Sequence, residues 1–254
     1  MELYAIDTHC HIHYTPVETL APITLSDVMR EGPYYTAYWE ELSQIARAAK
    51  ISTVFASPFE ALTGRADTVQ ANEDMFQLVQ DIPSLYQWVV IDPLNERTFE
   101  QADRMLRSEK CVGIKLHPVL HEYSLQEQGE KIFSFAAEHS AIVQTHPQKG
   151  TNYVAFADSF PNVTFIIAHL SGMTHIDAIK NAKHRNIYTD TSGRAILKNK
   201  LIEYAVSQIG SDRILFGTDT YAASAQRGRI EYAMIPELDK ENILLGNAKR
   251  LFGL

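Results

Sequence analysis

Eight short, β-branched apolar runs alternate with longer segments of helical period along the whole chain, and this alternation limits the fold more than any other feature. The runs are "LYAID" (3–7), "ISTVFAS" (51–57), "YQWVVID" (86–92), "CVGIKLH" (111–117), "AIVQTH" (141–146), "VTFIIAH" (163–169), "NIYTD" (186–190) and "RILFGTD" (213–219). Between them lie "YTAYWEELSQIARAAK", "NEDMFQLVQD", "TFEQADRMLRSEK", "EKIFSFAAEHS", "NYVAFADSF", "HIDAIKNAKH" and "LKNKLIEYAVSQI", and "ENILLGNAKRLFGL" closes the chain. Eight βα units in 254 residues predict one domain over 1–254, an α/β fold of the (β/α)8 or TIM-barrel type. A doubly wound open sheet is the alternative.

No shift of composition and no Gly/Ser/Pro-rich linker divides the chain. Its longest irregular stretch, 12–34, follows the first strand, where a pocket wall or lid is expected. A formal net charge of -8 with scattered Lys and Arg argues against a nucleic-acid partner. Cys10 and Cys111, far apart, form no disulfide framework, and no apolar run of about 18 residues is present. The expectation is a cytoplasmic protein with a small-molecule substrate, no membrane partner, and room for homo-oligomerisation.

The stretch "YAIDTHCHIHYTP" (4–16) then sets Asp7, His9, His11 and His13 on alternate positions. In a strand, residues two apart face the same way, so Asp7, His9 and His11 are expected to project together, and imidazoles starting about 7 Å apart can converge on one cation. His13 lies beyond the expected strand end and reads as a loop residue. Cys10, of opposite parity, reads as a small buried residue facing the helices. The other strands end on Lys115 and His117, His146, His169, Asp190 and Asp219. In a barrel these ends open into one cup at the carboxyl face, and imidazole with carboxylate suits zinc and other first-row divalent ions.

Taken together, "DTHCHIH", "QTHP", "IIAHLSG", "FGTDT" and the "ILLGNAKRLFGL" tail resemble the amidohydrolase superfamily, in its branch of metal-dependent barrel hydrolases and decarboxylases. The resemblance spans essentially the whole chain. It implies His9, His11, His146 and Asp219 as metal ligands, and His169 as a catalytic or second-metal residue. Lys115 is either a carboxylated bridge between two ions or an ammonium that meets substrate. His117 is a substrate contact, Asp190 a partner that fixes an imidazole tautomer, and Arg194 and Arg65 are candidates to grip an acidic substrate. The implied cofactor is a divalent metal, zinc with manganese as the alternative, one ion rather than two.

Neutral imidazoles leave the ion its charge, which can lower the pKa of a bound water from about 15.7 to about 7. Asp219 is then placed as the catalytic base. The expectation is hydrolysis of an ester, lactone or amide. Its alternative is nonoxidative decarboxylation of a carboxylated aromatic or related acid, ranked second because such enzymes tend to be longer. A third reading is a barrel that binds metal or ligand without turnover.

Overall fold

The computed structural model describes residues 4–13, 37–63, 67–220 and 222–254. Arg65, Tyr14, Tyr34, Tyr35, Tyr221 and most of the loop at 12–34 lie outside the described residues. Eight parallel strands alternate with helices: β1 (Ala5–Ile12), β2 (Ile51–Pro58), β3 (Leu85–Val90), β4 (Cys111–Leu116), β5 (Ile142–Thr145), β6 (Thr164–Ile167), β7 (Ile187–Asp190) and β8 (Ile214–Leu215). They hydrogen-bond in chain order, each to the next. Backbone bonds from Thr8 N to Phe216 O, and from Thr218 N and Asp219 N to His9 O, bring the segment after β8 back to β1. The result is a nearly closed (β/α)8 barrel.

All eight expected runs form strands, but β8 keeps only Ile214 and Leu215 as ladder residues. Beyond the ladder the chain turns at Asp219 and Thr220, which adopt positive φ of 56° and 67°. Helix starts follow local chemistry. Asp67 accepts from Val69 N and Gln70 N to open helix Thr68–Gln80, and Ser124 accepts from Gln126 N to open Leu125–Glu138.

Two apolar layers hold the barrel. The outer one, between strands and helices, contains Ala5, Cys10, Ile12, Ile114 and Val143. The inner one gathers Ile6, Phe55, Trp88, Ile166 and Leu215. Phe252, in the closing helix Asn247–Phe252, sets its ring 4.7 Å from Phe55 and 5.7 Å from Trp88, so the chain's last helix packs against this inner layer. Edge-on aromatic contacts of this kind add about 1 kcal/mol each beyond burial.

The strict alternation expected of β1 does not hold. Ile6 belongs to the inner layer and Cys10 and Ile12 to the outer one, while the register with β2 shifts between Asp7 and Cys10. Such a bulge re-aims the residues beyond it. His9 and His11 therefore face the cup without Asp7, whose carboxylate instead accepts from His9 N, Thr218 N and Thr218 Oγ1. His13 also departs from expectation: it bridges to Tyr38, is buried, and its Nδ1 lies 3.2 Å from Glu60 Oε1.

Candidate metal centre

Three donor atoms converge where β1 meets the end of β8. His9 Nε2 lies 3.2 Å from His11 Nε2, and Asp219 Oδ1 lies 3.5 Å from the first and 3.1 Å from the second. Ligands at about 2.0–2.2 Å from a shared tetrahedral ion stand roughly 3.3–3.6 Å apart, and closer in an octahedral shell. The donor spacing fits an ion in this place.

The far side of each imidazole supports the same conclusion. Asp190 Oδ1 accepts from His169 N, Ser192 N and the Ser192 hydroxyl, while its Oδ2 stands 2.9 Å from His9 Nδ1. A carboxylate so surrounded by donors is an acceptor only, so His9 carries its proton on Nδ1 and turns a bare Nε2 to the centre. His11 Nδ1 is likewise engaged, at 2.7 Å, by Ser57 Oγ, and Thr220 Oγ1 clamps the His11 backbone by accepting from its N–H and donating to its C=O.

The same reasoning orients the other imidazoles. Ser192 spends its proton on Asp190, so it accepts from His169 Nδ1 at 2.8 Å. His169 Nε2 then accepts from His146 Nδ1 at 3.2 Å, which leaves His146 Nε2 with a free lone pair. His9, His169 and Asp190 also sit close enough to be counted as a metal-binding group, but their facing atoms are used in this hydrogen-bond chain.

Burial sets the protonation states. It pushes His11 down to about 3 and, with the nearby His169 and Lys115, His146 down to about 3; His9 is lowered by burial and by Lys115. Burial alone would raise Asp219, yet the adjoining His11, His169 and His9 side chains hold it well below the usual carboxylate range. Asp190 is likewise held low, against burial, by His9, His169 and Ser192. Neutral imidazoles and ionised carboxylates are the forms that ligate a cation.

Lys115 is 1% exposed, and its Nζ lies 2.7 Å from His9 Nε2 and 3.0 Å from Gln144 Oε1. Burial brings it down to about 8, so it remains largely an ammonium at neutral pH. Gln144 is itself anchored through Nε2 to Thr8 O. His117 stacks on His146 with ring centroids 4.1 Å apart.

Of the expected site residues, His9, His11, Asp219 and Lys115 meet at one point, with Asp190 behind them. His146 and His169 adjoin as a pair, but His146 is not among the three donors of the converging group. Arg194 is exposed, at the start of the turn Arg194–Leu197, with no hydrogen bond or ion pair to another described residue. Sequence reasoning missed Ser57, Gln144, Ser192 and Thr220. Each is polar and within two residues of a strand end or a named site residue, which was the available signal.

Backbone geometry is specialised here too. His169 and Asp219 hold φ of 61° and 56°, a region costly for residues with a Cβ and one that collects at functional sites. At Gly217 a Cβ would stand 2.8 Å from His9 Cβ, and at Gly193, with φ of +75°, 2.9 Å from His169 Nδ1. The glycines of "FGTDT" and "DTSG" thus make room for two imidazoles.

Fold and site together define a parallel barrel with a candidate divalent-metal centre at its carboxyl end. The chain belongs to the amidohydrolase family, whose model matches residues 6–254. Among solved structures, it is similar to a dihydroxybenzoic acid decarboxylase from Polaromonas with bound manganese and the inhibitor 2-nitroresorcinol, at 17% identity and TM-score 0.73, covering 100% of this chain and 98% of that one. It is also similar to 5-carboxyvanillate decarboxylase from Sphingomonas paucimobilis, at 14% identity and TM-score 0.74, with 100% of both chains covered. A candidate 2-pyrone-4,6-dicarboxylic acid hydrolase from Pseudomonas putida follows at 16% identity and TM-score 0.65, with 100% and 98% covered. A comparison with curated proteins finds no match. No described helix is long and apolar enough to cross a membrane.

Proposed function

We propose that the chain is a metal-dependent nonoxidative decarboxylase of a hydroxylated aromatic or related carboxylic acid. The observation that carries this reading is the buried Lys115 ammonium at the three-donor point, 2.7 Å from His9 Nε2. A cation inside the cup favours an anionic substrate over a neutral one. The similarity to two decarboxylases supports the same choice. Chain length does not set this protein apart from such enzymes, since the likeness to the Sphingomonas decarboxylase covers both chains in full.

His9, His11 and Asp219, with His146 as a fourth, would hold one divalent ion, manganese as in the Polaromonas relative or zinc, to which this donor set is equally suited. When bound, the ion supplies Lewis acidity toward the substrate's carboxylate and neighbouring hydroxyl. Asp219, with 18% of its side chain exposed beside a fully buried His9, is the group of this cluster that reaches the mouth. Held ionised, it takes the proton of the substrate hydroxyl and returns it to the ring carbon that bears the carboxylate. The carbon–carbon bond then breaks, its electron pair returns to the ring, and carbon dioxide leaves with the charge retained on the phenolate. His169 keeps His146 in register through Nε2.

Hydrolysis is the second reading, favoured by the same ionised Asp219, which suits a base that takes a proton from water. The two separate in one assay. Protein reconstituted with manganese or zinc is given a panel of hydroxybenzoates and a panel of lactones and esters, with carbon dioxide and acid release followed in parallel. Carbon dioxide from the first panel is the expected result. Acid release from the second alone selects hydrolysis, and a bound ion without either product points to a barrel that only binds.

A further inference from the structure

His9 has one lone pair to offer the cup, because its Nδ1 proton is committed to Asp190. Two claimants reach the Nε2 that carries it. One is Lys115 Nζ at 2.7 Å, and the other is the point shared with His11 Nε2 and Asp219 Oδ1. A single lone pair accepts an N–H or ligates an ion, never both at once. We propose that the Lys115 ammonium occupies His9 Nε2 in the metal-free protein as a resident stand-in cation, so that an incoming divalent ion must displace it. The inference rests on the metal-binding reading given above.

The surroundings are built for such an exchange. Lys115 is almost wholly buried on β4, and its other contact is Gln144 Oε1 at 3.0 Å. Gln144 is tied in turn to Thr8 O across the barrel, so it retains the ammonium when His9 lets go. An ammonium bonded to His9 Nε2 also stands beside the Asp219 and Asp190 carboxylates, which His9 contacts from either nitrogen. Displacement leaves the ammonium short of one acceptor, and an acidic substrate brings one. Metal loading therefore prepares Lys115 for the anion, and the order of binding is ion first, acid second.

The competition makes an unusual demand: removing a positively charged neighbour of the ligands tightens the metal. Metal-free wild type, Lys115→Met and Lys115→Gln are titrated with manganese in a calorimeter, with circular dichroism to check folding. Loss of a charge-assisted competitor predicts roughly 10- to 100-fold tighter binding in Lys115→Met, with Lys115→Gln between it and wild type. Equal or weaker affinity in a folded variant overturns the inference while leaving the metal reading in place; weaker affinity marks Lys115 as a contributor to the centre. If wild type and both variants take up no ion, the metal reading falls and the inference falls with it. Wild type supplies an independent measurement: with ¹⁵N-labelled lysine, the Lys115 Nζ resonance is expected to move on addition of zinc, and a bound ion that leaves it unmoved overturns the displacement.

Discussion

Asp190 Oδ2 stands 2.9 Å from His9 Nδ1, joining two residues 181 positions apart, both fully buried. This contact decides which nitrogen of His9 faces the cup. Asp190→Ala frees the ring to take the other tautomer and is expected to weaken divalent-metal affinity by about 10- to 100-fold. Equilibrium dialysis with manganese measures it, and an unchanged dissociation constant would remove Asp190 from this role.

Among the described residues, Asp219 is the one carboxylate that both joins the donor cluster and reaches the mouth. Asp219→Asn keeps the shape but cannot carry the proton. Turnover should fall by about 10²- to 10⁴-fold, the usual contribution of a positioned acid or base. Steady-state kinetics at saturating metal is the check; retention of more than a tenth of the activity would place the proton on another group.

Gly217 leaves no room for a side chain, since its Cβ would meet His9 Cβ at 2.8 Å and Ser192 Cβ at 3.2 Å. Gly217→Ala should cost about 1–3 kcal/mol through overpacking and shift the His9 ring as well. Urea unfolding gives the first quantity and metal titration the second. A variant as stable as wild type would mean that β1 and the end of β8 yield more readily than their packing implies.

Glu203 and Arg229 pair outside the donor cluster, with Oε2 2.7 Å from Nη2 and Oε1 3.2 Å from Nη1. The hydrogen bonds from Arg229, partly opposed by burial, bring the Glu203 carboxyl from 4.5 down to about 2. Because the folded value lies below the unfolded one, the pair stabilises the protein above about pH 4.5, and this is lost as pH falls toward 2. Glu203→Gln should cost about 1 kcal/mol at pH 7, with the gap to wild type closing between pH 4.5 and 2 in thermal melts. A gap that does not change with pH would mean the ion pair contributes nothing.

Much of the site was legible because strand residues alternate and barrel strands end on one face. "YTD" and "GTD" put Asp190 and Asp219 at that face, and "GIKLH" puts Lys115 there. Asp7 failed by the same rule. A bulge between Asp7 and Cys10 breaks the period of two, and no feature of "IDTHCHIH" announces it. His13 was misread for a related reason, since its burial comes from Glu60 and Phe59, which belong to another unit of the chain.

Local order, then, was written in the residues themselves: eight runs of strand period separated by helical ones, with histidines and aspartates at their ends. Periodicity acts over a few residues, so it fixes which way a side chain leaves its own strand. Tertiary structure decided what each side chain meets: Asp190 behind His9, Ser57 behind His11, Ser192 between His169 and Asp190, and Lys115 on the lone pair an ion would use. Apart from Ser192 and Asp190, two positions apart, those partners lie from 23 to 181 positions apart. Only closure of the barrel brings them within reach, and burial then turns each meeting into a choice of proton position.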